Sequence, residues 1–331
     1  MRDARDRDEV GIGEWVAELG GMAQKQQLIR RGAGDRHLTS AVRRGEVVRV
    51  RNGWYTTLPP QDPRVRAVRV GGRLTGISAV AAWGGWVERT GVLHVALPVN
   101  AARSRSPVNR RRRFAPGRDG VRRHWEEHAR STRGDSMFVD IRDALRRVAL
   151  DEPIDVAVAA FDWALHSGRL ERSDIDGLIE ELPARAQVLR ELVDGRRESL
   201  PESLVCTRAQ LAGHRVRAQV RITDTLQRID VVVDDIVAVE VDGKEHHLLA
   251  FERDREKDLA ITRDGYHPLR PTARLVFDRW PEVLAAIRAA IAARRSGAGV
   301  GNSGLRGGPV GPRPGIAALS PLPPPTGARN S

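Results

Sequence analysis

The sequence holds almost no cysteine and has no long apolar run. A single cysteine, Cys206, excludes an internal disulfide and a cysteine-rich zinc site. No stretch of the 331 residues is apolar over the length that a membrane span requires. The N-terminal stretch MRDARDRDEVGIGEW is charged, so we expect neither a signal peptide nor a membrane anchor. These absences predict a cytoplasmic protein with no membrane partner.

Lysine is also scarce, although the chain is strongly basic. There are 55 Lys and Arg residues against 43 Asp and Glu, which gives a formal net charge of +12. Such a balance favours a polyanionic partner, and DNA is the partner that we predict. Only three of the 55 basic residues are lysines: Lys25, Lys244 and Lys257. This arginine richness is typical of a GC-rich genome, so the charge by itself permits nucleic-acid binding without proving it.

Residues 1–58 combine two helical patterns with a hairpin signal. GGMAQKQQLIRRG predicts a helix with Leu28 and Ile29 facing inward, and RHLTSAVRRGE predicts a second helix. In VVRVRNGWYTT, Asn52 and Gly53 separate two β-prone runs, which is typical of a tight hairpin. Two helices followed by a hairpin predict a winged helix-turn-helix.

In a winged helix-turn-helix the second helix faces the DNA groove and the hairpin forms the wing. The residues predicted to contact DNA are therefore Arg36, Ser40, Arg43 and Arg44 on the helix, and Arg49 and Arg51 on the wing. The alternative is a helix pair with solvated arginines, and the pattern leaves both open.

Residues 59–197 predict a mixed, mainly helical middle region. VLHVALP alternates like a strand, and we interpret its His94 as a hydrogen-bonded polar residue rather than a ligand. The stretch 108–125, with four consecutive arginines at 110–113, predicts a basic loop. Its helices are amphipathic, and we expect no chemistry from this region.

The C-terminal part predicts an α/β unit followed by a tail. Residues 198–295 predict the element order αβββαβ, so the fold class is α/β locally and α+β over the whole chain. Residues 296–331 are rich in Gly, Pro and Ser and cannot form a packed core, so we expect a disordered tail.

Two apolar β-prone runs separated by residues 234–236 carry acidic side chains at unusual places. Strand side chains alternate between two faces, so valines alternate with Asp230 in the first run and with Glu240 and Asp242 in the second. Pairing Asp230 with Glu240 across a three-residue loop matches valine with valine, whereas a two-residue loop scrambles both faces. The apolar pattern therefore predicts that the three carboxylates gather on one side. Oxygen ligands of this kind suit Mg²⁺ or Mn²⁺.

This order of residues resembles the PD-(D/E)XK nuclease superfamily, and it is similar to the branch near the very-short-patch-repair endonucleases. The resemblance is carried by Asp230 and by Glu240-x-Asp242-Gly243, and it covers about the last third of the folded chain. Further matching residues are Glu202 in LPESLVCTRAQLAG, His247, the helix residues Phe251, Asp254, Arg255 and Asp258, and Gly265, Tyr266, Leu269, Arg270 and Thr272. It implies a restriction-endonuclease-like core and metal-dependent hydrolysis of DNA phosphodiester bonds.

The resemblance also implies roles for individual residues. The predicted catalytic residues are Glu202, Asp230, Glu240, Asp242 and His247, with Asp230, Glu240 and Asp242 as metal ligands. His247 would act as general acid or base, and Glu202 would bind or orient the water shell of the metal. Arg255 and Arg270 would neutralise phosphate charge, or equally form structural ion pairs with Asp254 or Asp258.

Two residues depart from the superfamily pattern. Its usual lysine, two positions after the glutamate, is replaced by Asp242, with Lys244 two positions further on. This replacement shifts the implied mechanism toward His247. Pro268 lacks the N–H that a paired strand needs, so we expect an edge strand or a local distortion there.

Residues 14–100 loosely resemble the AbiEi-type antitoxin or transcriptional-regulator domain, which begins with a winged helix. The resemblance rests on GGMAQKQQLIRRG, LTSAVRRGEVVRVRNGWY, GGRLTGISAVAAWG and LHVALP. Two functions therefore stay open: a DNA-binding endonuclease, or an antitoxin-like repressor that binds DNA without cleaving it. A toxin encoded nearby would be the partner of the second, and a palindromic DNA site would call for a homodimer. Three converging acids repel DNA when no metal is present, which favours the enzyme.

Overall fold

The structure is a computed structural model that describes residues 11–126, 134–241 and 248–300. Over these residues it is a mixed α+β protein with thirteen α-helices and three small sheets. The helices are α1 (Ile12–Glu18), α2 (Lys25–Arg30), α3 (Asp35–Arg44), α4 (Pro63–Val70), α5 (Gly76–Ala82), α6 (Ile141–Asp151), α7 (Ile154–His166), α8 (Arg172–Glu180), α9 (Leu189–Leu192), α10 (Leu200–Leu211), α11 (Leu248–Arg263), α12 (Ala273–Asp278) and α13 (Trp280–Val300).

The ten strands of the described residues are short, from two to six residues each. They are β1 (Met22–Gln24), β2 (Val48–Arg51), β3 (Trp54–Thr56), β4 (Arg73–Leu74), β5 (Leu93–Pro98), β6 (Val121–Glu126), β7 (Val216–Arg221), β8 (Arg228–Val233), β9 (Val237–Val239) and β10 (His267–Leu269). They form sheets in the orders β1-β3-β2, β4-β5-β6 and β10-β9-β8-β7. No helix of the described part is long and apolar enough to cross a membrane.

The N-terminal sheet contains the predicted hairpin. Strands β2 and β3 pair antiparallel, and Gly53 in the connecting turn has φ +79°, a conformation that glycine adopts without strain. The first predicted helix begins only at Lys25, because residues 22–24 pair with β3 as strand β1. The inward orientation predicted for Ile29 is wrong, since its side chain is 48% exposed while Leu28 is fully buried. A hairpin with two preceding helices is therefore present.

The middle region contains a sheet as well as helices. The strand predicted at VLHVALP is confirmed as β5, which pairs with β4 on one side and with β6 on the other. The predicted loop at 108–125 is wrong at its C-terminal end, where residues from Val121 onward form β6, parallel to β5. Because β6 is an edge strand, its outward positions tolerate arginine, and this hides the apolar alternation of a buried strand.

A buried charge pair joins α7 to the segment that leads into α10. The side chains of Asp162 and Arg197 are 0% and 2% exposed, and Arg197 Nη1 lies 2.7 Å from Asp162 Oδ2. The same oxygen accepts from Ser203 Oγ at 2.6 Å, and Asp162 Oδ1 accepts from the Asp194 N–H at 2.7 Å. Burial raises the pKa of Asp162 to about 6, and the charge of Arg197 opposes this rise. The pair therefore holds α10 on the middle region.

The C-terminal elements follow the order αβββαβ, from α10 through β7, β8, β9 and α11 to β10. The predicted register is confirmed: Val231 opposes Val239 and Val233 opposes Val237, across a three-residue turn. Strand β10 pairs parallel to β9 at the sheet edge, so the edge position expected for Pro268 is also confirmed.

The predicted tail begins too early. Helix α13 continues through residues 296–300, and its residues from Ala292 belong to a second compact unit. Residues 301–331, the rest of the predicted tail, lie outside the described residues. The domain boundaries predicted at 58/59 and 197/198 stay predictions.

The buried pair gives a stability prediction. Asp162→Ala leaves the Arg197 charge buried without its carboxylate, so the free energy of unfolding should fall by about 3–5 kcal/mol. Arg196→Ala is the neighbouring control, because Arg196 forms an ion pair that is 69% exposed at the arginine and contributes less than about 1 kcal/mol. Urea denaturation of the full chain measures both. Equal losses in the two variants would contradict a special role for the buried pair.

Candidate active site

Two of the predicted metal ligands lie side by side at the end of the β8–β9 hairpin. The register of the valines brings Glu240, the residue after β9, level with Asp230 in β8. The Asp230 N–H donates to Glu240 Oε1 at 3.1 Å, and Glu240 is only 4% exposed. A carboxylate so deeply buried requires a positive partner.

That partner is Lys257 from α11. Its ammonium donates to Glu240 Oε2, so both carboxylate oxygens of Glu240 have donors within the chain. The sequence reasoning missed Lys257 as a site residue, because the lysine of the superfamily is expected on the strand itself. The sequence did contain one indication of a special role for Lys257, because nearly all other basic residues of the chain are arginines.

Glu202 lies next to this pair, at the start of α10. Ser199 caps the helix, and Glu202 Oε1 accepts from Ser199 Oγ at 2.7 Å. Glu202 Oε2 accepts from the Glu198 N–H and from Gln219 Nε2, both at 3.0 Å. The Ser-x-x-Glu spacing is that of a helix capping box, so these contacts place Glu202 at the helix start, and its catalytic role stays a prediction. Its charge nevertheless reaches Asp230.

Gln219 links the two parts of the site through a strained backbone. Strand β7 pairs with β8 at Ala218↔Val231 and at Val220↔Ile229, with Gln219 between these pairs, level with Asp230. Its φ is +54°, which is rare for a non-glycine residue within a strand and costs about 1–3 kcal/mol. With the backbone in this conformation, Gln219 Nε2 donates to Glu202 Oε2.

Asp230 is held in a strongly anionic environment. Burial raises its pKa most, and the charges of Glu240 and then Glu202 raise it further, to about 7. Lys257 and the Val241 N–H act in the opposite direction and only partly offset this rise. An uncharged Asp230 is therefore populated at neutral pH unless a further cation approaches.

The described residues fit a hard divalent cation. The carboxylate of Glu240 lies against the Asp230 backbone, and after burial the charge of Glu240 is the largest cause that raises the pKa of Asp230, so the two carboxylates lie near each other. Mg²⁺ is commonly bound through one or two carboxylates and keeps several of its waters. The third predicted ligand, Asp242, and the predicted acid or base, His247, lie outside the described residues.

Arg255 and Arg270 are predicted to neutralise phosphate charge or, equally, to form structural ion pairs with Asp254 or Asp258. Arg270 forms such an ion pair. Its Nε lies 2.8 Å from Asp258 Oδ1. Arg255 is exposed on α11.

The predicted DNA-contacting residues of the N-terminal segment differ in their surroundings. Arg36 and Arg43 are exposed on α3. Arg44 donates to Ser40 Oγ and pairs with Glu46, and Arg49 donates to Asn52 Oδ1.

Arg51 is half-buried on β2 and donates to two backbone carbonyls of the middle region. Its Nη1 lies 3.5 Å from the Arg69 carbonyl and its Nη2 lies 3.4 Å from the Arg103 carbonyl. Burial lowers its pKa, and the charge of Arg105 lowers it further. The side chain packs beside Gly71, where a Cβ atom would lie 2.1 Å from Arg51 Nη1. These contacts give Arg51 a packing role, and a DNA contact by the same side chain stays a prediction.

Comparison with known proteins adds no relative. No family model matches the chain, and no curated protein matches it. The two resemblances in the sequence therefore stay predictions.

The burial of Asp230 beside the charges of Glu240 and Glu202 predicts how the stability of the protein depends on pH. Because its folded pKa of about 7 exceeds the ordinary 3.8, its contribution to stability is fully present below pH 3.8 and is lost as the pH rises through about 7. Asp230→Asn removes this loss. In metal-free buffer the variant should gain roughly 2–4 kcal/mol of unfolding free energy relative to the parent between about pH 4.5 and 8.

Urea denaturation at both pH values measures the difference between variant and parent. Asp235→Asn, on the exposed turn after β8, is the matched control and should show no comparable change. If the difference in unfolding free energy between Asp230→Asn and the parent is the same at both pH values, the raised pKa of Asp230 is contradicted.

Proposed function

We propose that the protein is a DNA-binding, metal-dependent endonuclease that hydrolyses phosphodiester bonds at Asp230 and Glu240. The observation that carries the proposal is that Asp230 and Glu240 lie side by side on the β8–β9 hairpin and that Lys257 from α11 binds Glu240. Carboxylates and a lysine beside one another are the groups that hold a divalent ion and neutralise a phosphate.

The residues of the site have separate tasks in this proposal. Asp230 and Glu240 hold Mg²⁺ or Mn²⁺, with Asp242 as the further predicted ligand. The ion, when bound, polarises the phosphate and lowers the pKa of a water molecule. Lys257 holds the carboxylate of Glu240 in place and donates to a phosphate oxygen or to a water. Glu202 and Gln219 position the strand that carries Asp230, and His247 remains the predicted acid or base.

In this proposal the N-terminal segment binds duplex DNA. The helices α2 and α3 with the β2–β3 hairpin support a winged helix-turn-helix, and Arg36 and Arg43 are exposed on the second helix. These arginines contact phosphates, which provides affinity that does not depend on base sequence. A palindromic site would be bound by a homodimer.

The second candidate is an antitoxin-like repressor that binds DNA without cleaving it. One observation favours it: Lys257 already neutralises Glu240 within the chain, so the carboxylate is tolerated without any ion. Its partner would be a toxin encoded nearby. The two candidates share the DNA-binding segment and differ only in whether Asp230 and Glu240 support turnover.

Plasmid cleavage separates the two candidates. With Mg²⁺ or Mn²⁺, the parent should nick or cut supercoiled DNA, and Glu240→Gln should lower the rate by at least about 100-fold because it weakens metal binding and proton transfer. Lys257→Met should also lower it. The matched control is Glu256→Gln, the same exchange at an exposed position of α11, which should keep the parent rate.

Equal cleavage by the parent and Glu240→Gln would reveal a contaminating nuclease and overturn the enzyme. Absence of cleavage together with retained DNA binding would select the repressor. Circular dichroism and thermal unfolding of each variant show that the fold is kept.

DNA binding itself is tested through its salt dependence. The double variant Arg36→Ala/Arg43→Ala should weaken binding equally for unrelated duplexes and lower the slope of log K against log salt by about 2, since each phosphate contact contributes about 0.9. Fluorescence anisotropy with labelled duplexes measures the slope. Arg288→Ala, an exposed change on α13, is the control. An unchanged slope in the double variant would remove α3 from the DNA interface.

A further inference from the structure

Two histidines and an aspartate meet in the middle region, away from the carboxylate site. His94 lies in β5 and His124 in β6, and the parallel register pairs Ala96 with His124. Because side chains alternate along a strand, His94 and His124 project from the same face, with ring centroids 5.1 Å apart. Asp151, the last residue of α6, closes the group from a third direction.

The atoms that face one another lack hydrogen bonds. His94 Nδ1, His124 Nε2 and Asp151 Oδ2 are buried and have no hydrogen-bond partner among the described residues. His94 and His124 are 4% and 7% exposed. The two nitrogens lie 3.8 and 3.6 Å from Asp151 Oδ2, which is too far for a good hydrogen bond. Three buried polar atoms left unsatisfied at one point are costly, and this requires an explanation.

An ion pair between a histidine and Asp151 does not explain the group, because both nitrogens lie beyond hydrogen-bond distance of Asp151 Oδ2 and two arginines lie near the same carboxylate. A neutral imidazole presents a nitrogen lone pair, which is the form that binds a metal.

We propose that His94, His124 and Asp151 form a second metal site, which takes a transition-metal ion of the Zn²⁺ class. Two ligand atoms on a tetrahedral Zn²⁺ ion lie about 3.3 Å apart, given Zn–N and Zn–O distances of about 2.0–2.1 Å. The two distances to Asp151 Oδ2, 3.6 and 3.8 Å, need to close by a few tenths of an ångström, and the third distance, between the two nitrogens, is at most 4.8 Å. This is the one group of its kind among the described residues.

The ligand chemistry separates this site from the carboxylate site. Two imidazole nitrogens and one carboxylate oxygen suit Zn²⁺, Co²⁺ or Fe²⁺, whereas Mg²⁺ prefers oxygen ligands. Three protein ligands leave a fourth position for water. The inference does not depend on the proposed nuclease function.

The surroundings of His94 support a ligand role. Glu152 Oε1 lies 3.6 Å from His94 Nε2, the ring nitrogen other than the proposed ligand, which is just beyond hydrogen-bond distance. Carboxylates that accept a hydrogen bond from the second nitrogen orient metal-bound histidines and increase their basicity, and a small shift of Glu152 would give His94 this contact. Gly76, with φ +54°, keeps the approach to Nδ1 open, because a Cβ atom there would lie 3.0 Å from it.

Two arginines oppose a cation at this point, and the acidic residues offset them. Arg122 and Arg147 lie 3.9 and 3.8 Å from the oxygens of Asp151. Asp151 and Glu152 place carboxylates beside the two histidines. Because the arginines repel a cation, an ion must form short bonds to all three ligand atoms to bind here, which favours a transition metal over a loosely bound cation.

The role of the ion is to tie β5, β6 and the end of α6 together. Metal binding to the folded state alone stabilises it, so the thermal midpoint of the metal-free full chain should rise by about 5 °C with saturating Zn²⁺. One Co²⁺ ion per chain should bind at the same place and produce the visible absorption of a four-coordinate cobalt site. Mg²⁺ in excess should leave that absorption unchanged.

His94→Gln and His124→Gln should each abolish the cobalt absorption and the Zn²⁺-dependent rise in the thermal midpoint. His37→Gln, at an exposed position of α3, is the matched control and should keep both. If either buried variant does not fold, Asp151→Asn provides the milder test, with the same expected loss. Absence of stoichiometric Zn²⁺ or Co²⁺ binding by the parent, or equal binding by parent and variants, would overturn the site.

Discussion

The buried contact between Asp162 and Arg197 holds α10, and with it the sheet that carries the candidate site, against the middle region. Arg197 also donates to the Leu192 carbonyl at 2.8 Å and to Thr207 Oγ1 at 3.1 Å, so one guanidinium ties α7, the linking segment and α10 together. A buried charge pair tolerates little displacement, because a buried charge without its partner strongly destabilises the fold. Helix α10 in turn carries Glu202, and the strands β7 and β8 pack against it.

Charge crowding is the second constraint, and it acts at Asp230. Three carboxylates lie near one another with Lys257 as the described cation in contact, and Gln219 adopts a strained backbone to bind one of them. Such strain and such a raised pKa are concentrated at functional sites in proteins, although structural networks also produce them. This combination distinguishes the hairpin from the rest of the sheet, and it is the reason that we assign the proposed chemistry to it.

The protein thus presents two different electrostatic environments for cations. The carboxylate site consists of oxygens with excess negative charge, which suits a hydrated hard ion. The His94 group consists of two imidazoles beside one carboxylate, which suits an ion that forms short, directional bonds. The middle region, for which the sequence predicted no chemistry, contains the second environment. The prediction that His94 is a hydrogen-bonded polar residue is wrong at Nδ1. The atoms that face it, His124 Nε2 from β6 and Asp151 Oδ2 from α6, also lack hydrogen-bond partners among the described residues.

Local patterns in the amino-acid sequence determined the β8–β9 register, the Asn52–Gly53 hairpin, the edge position of Pro268 and hence the nearness of Asp230 to Glu240. These depend on side-chain alternation and turn chemistry, which act between residues close in the chain. Only the tertiary structure decided that Lys257 reaches Glu240, that Arg51 turns inward, and that His94, His124 and Asp151 meet. Those contacts join residues that are distant in sequence, and packing of whole helices and strands selects them, which no short pattern encodes.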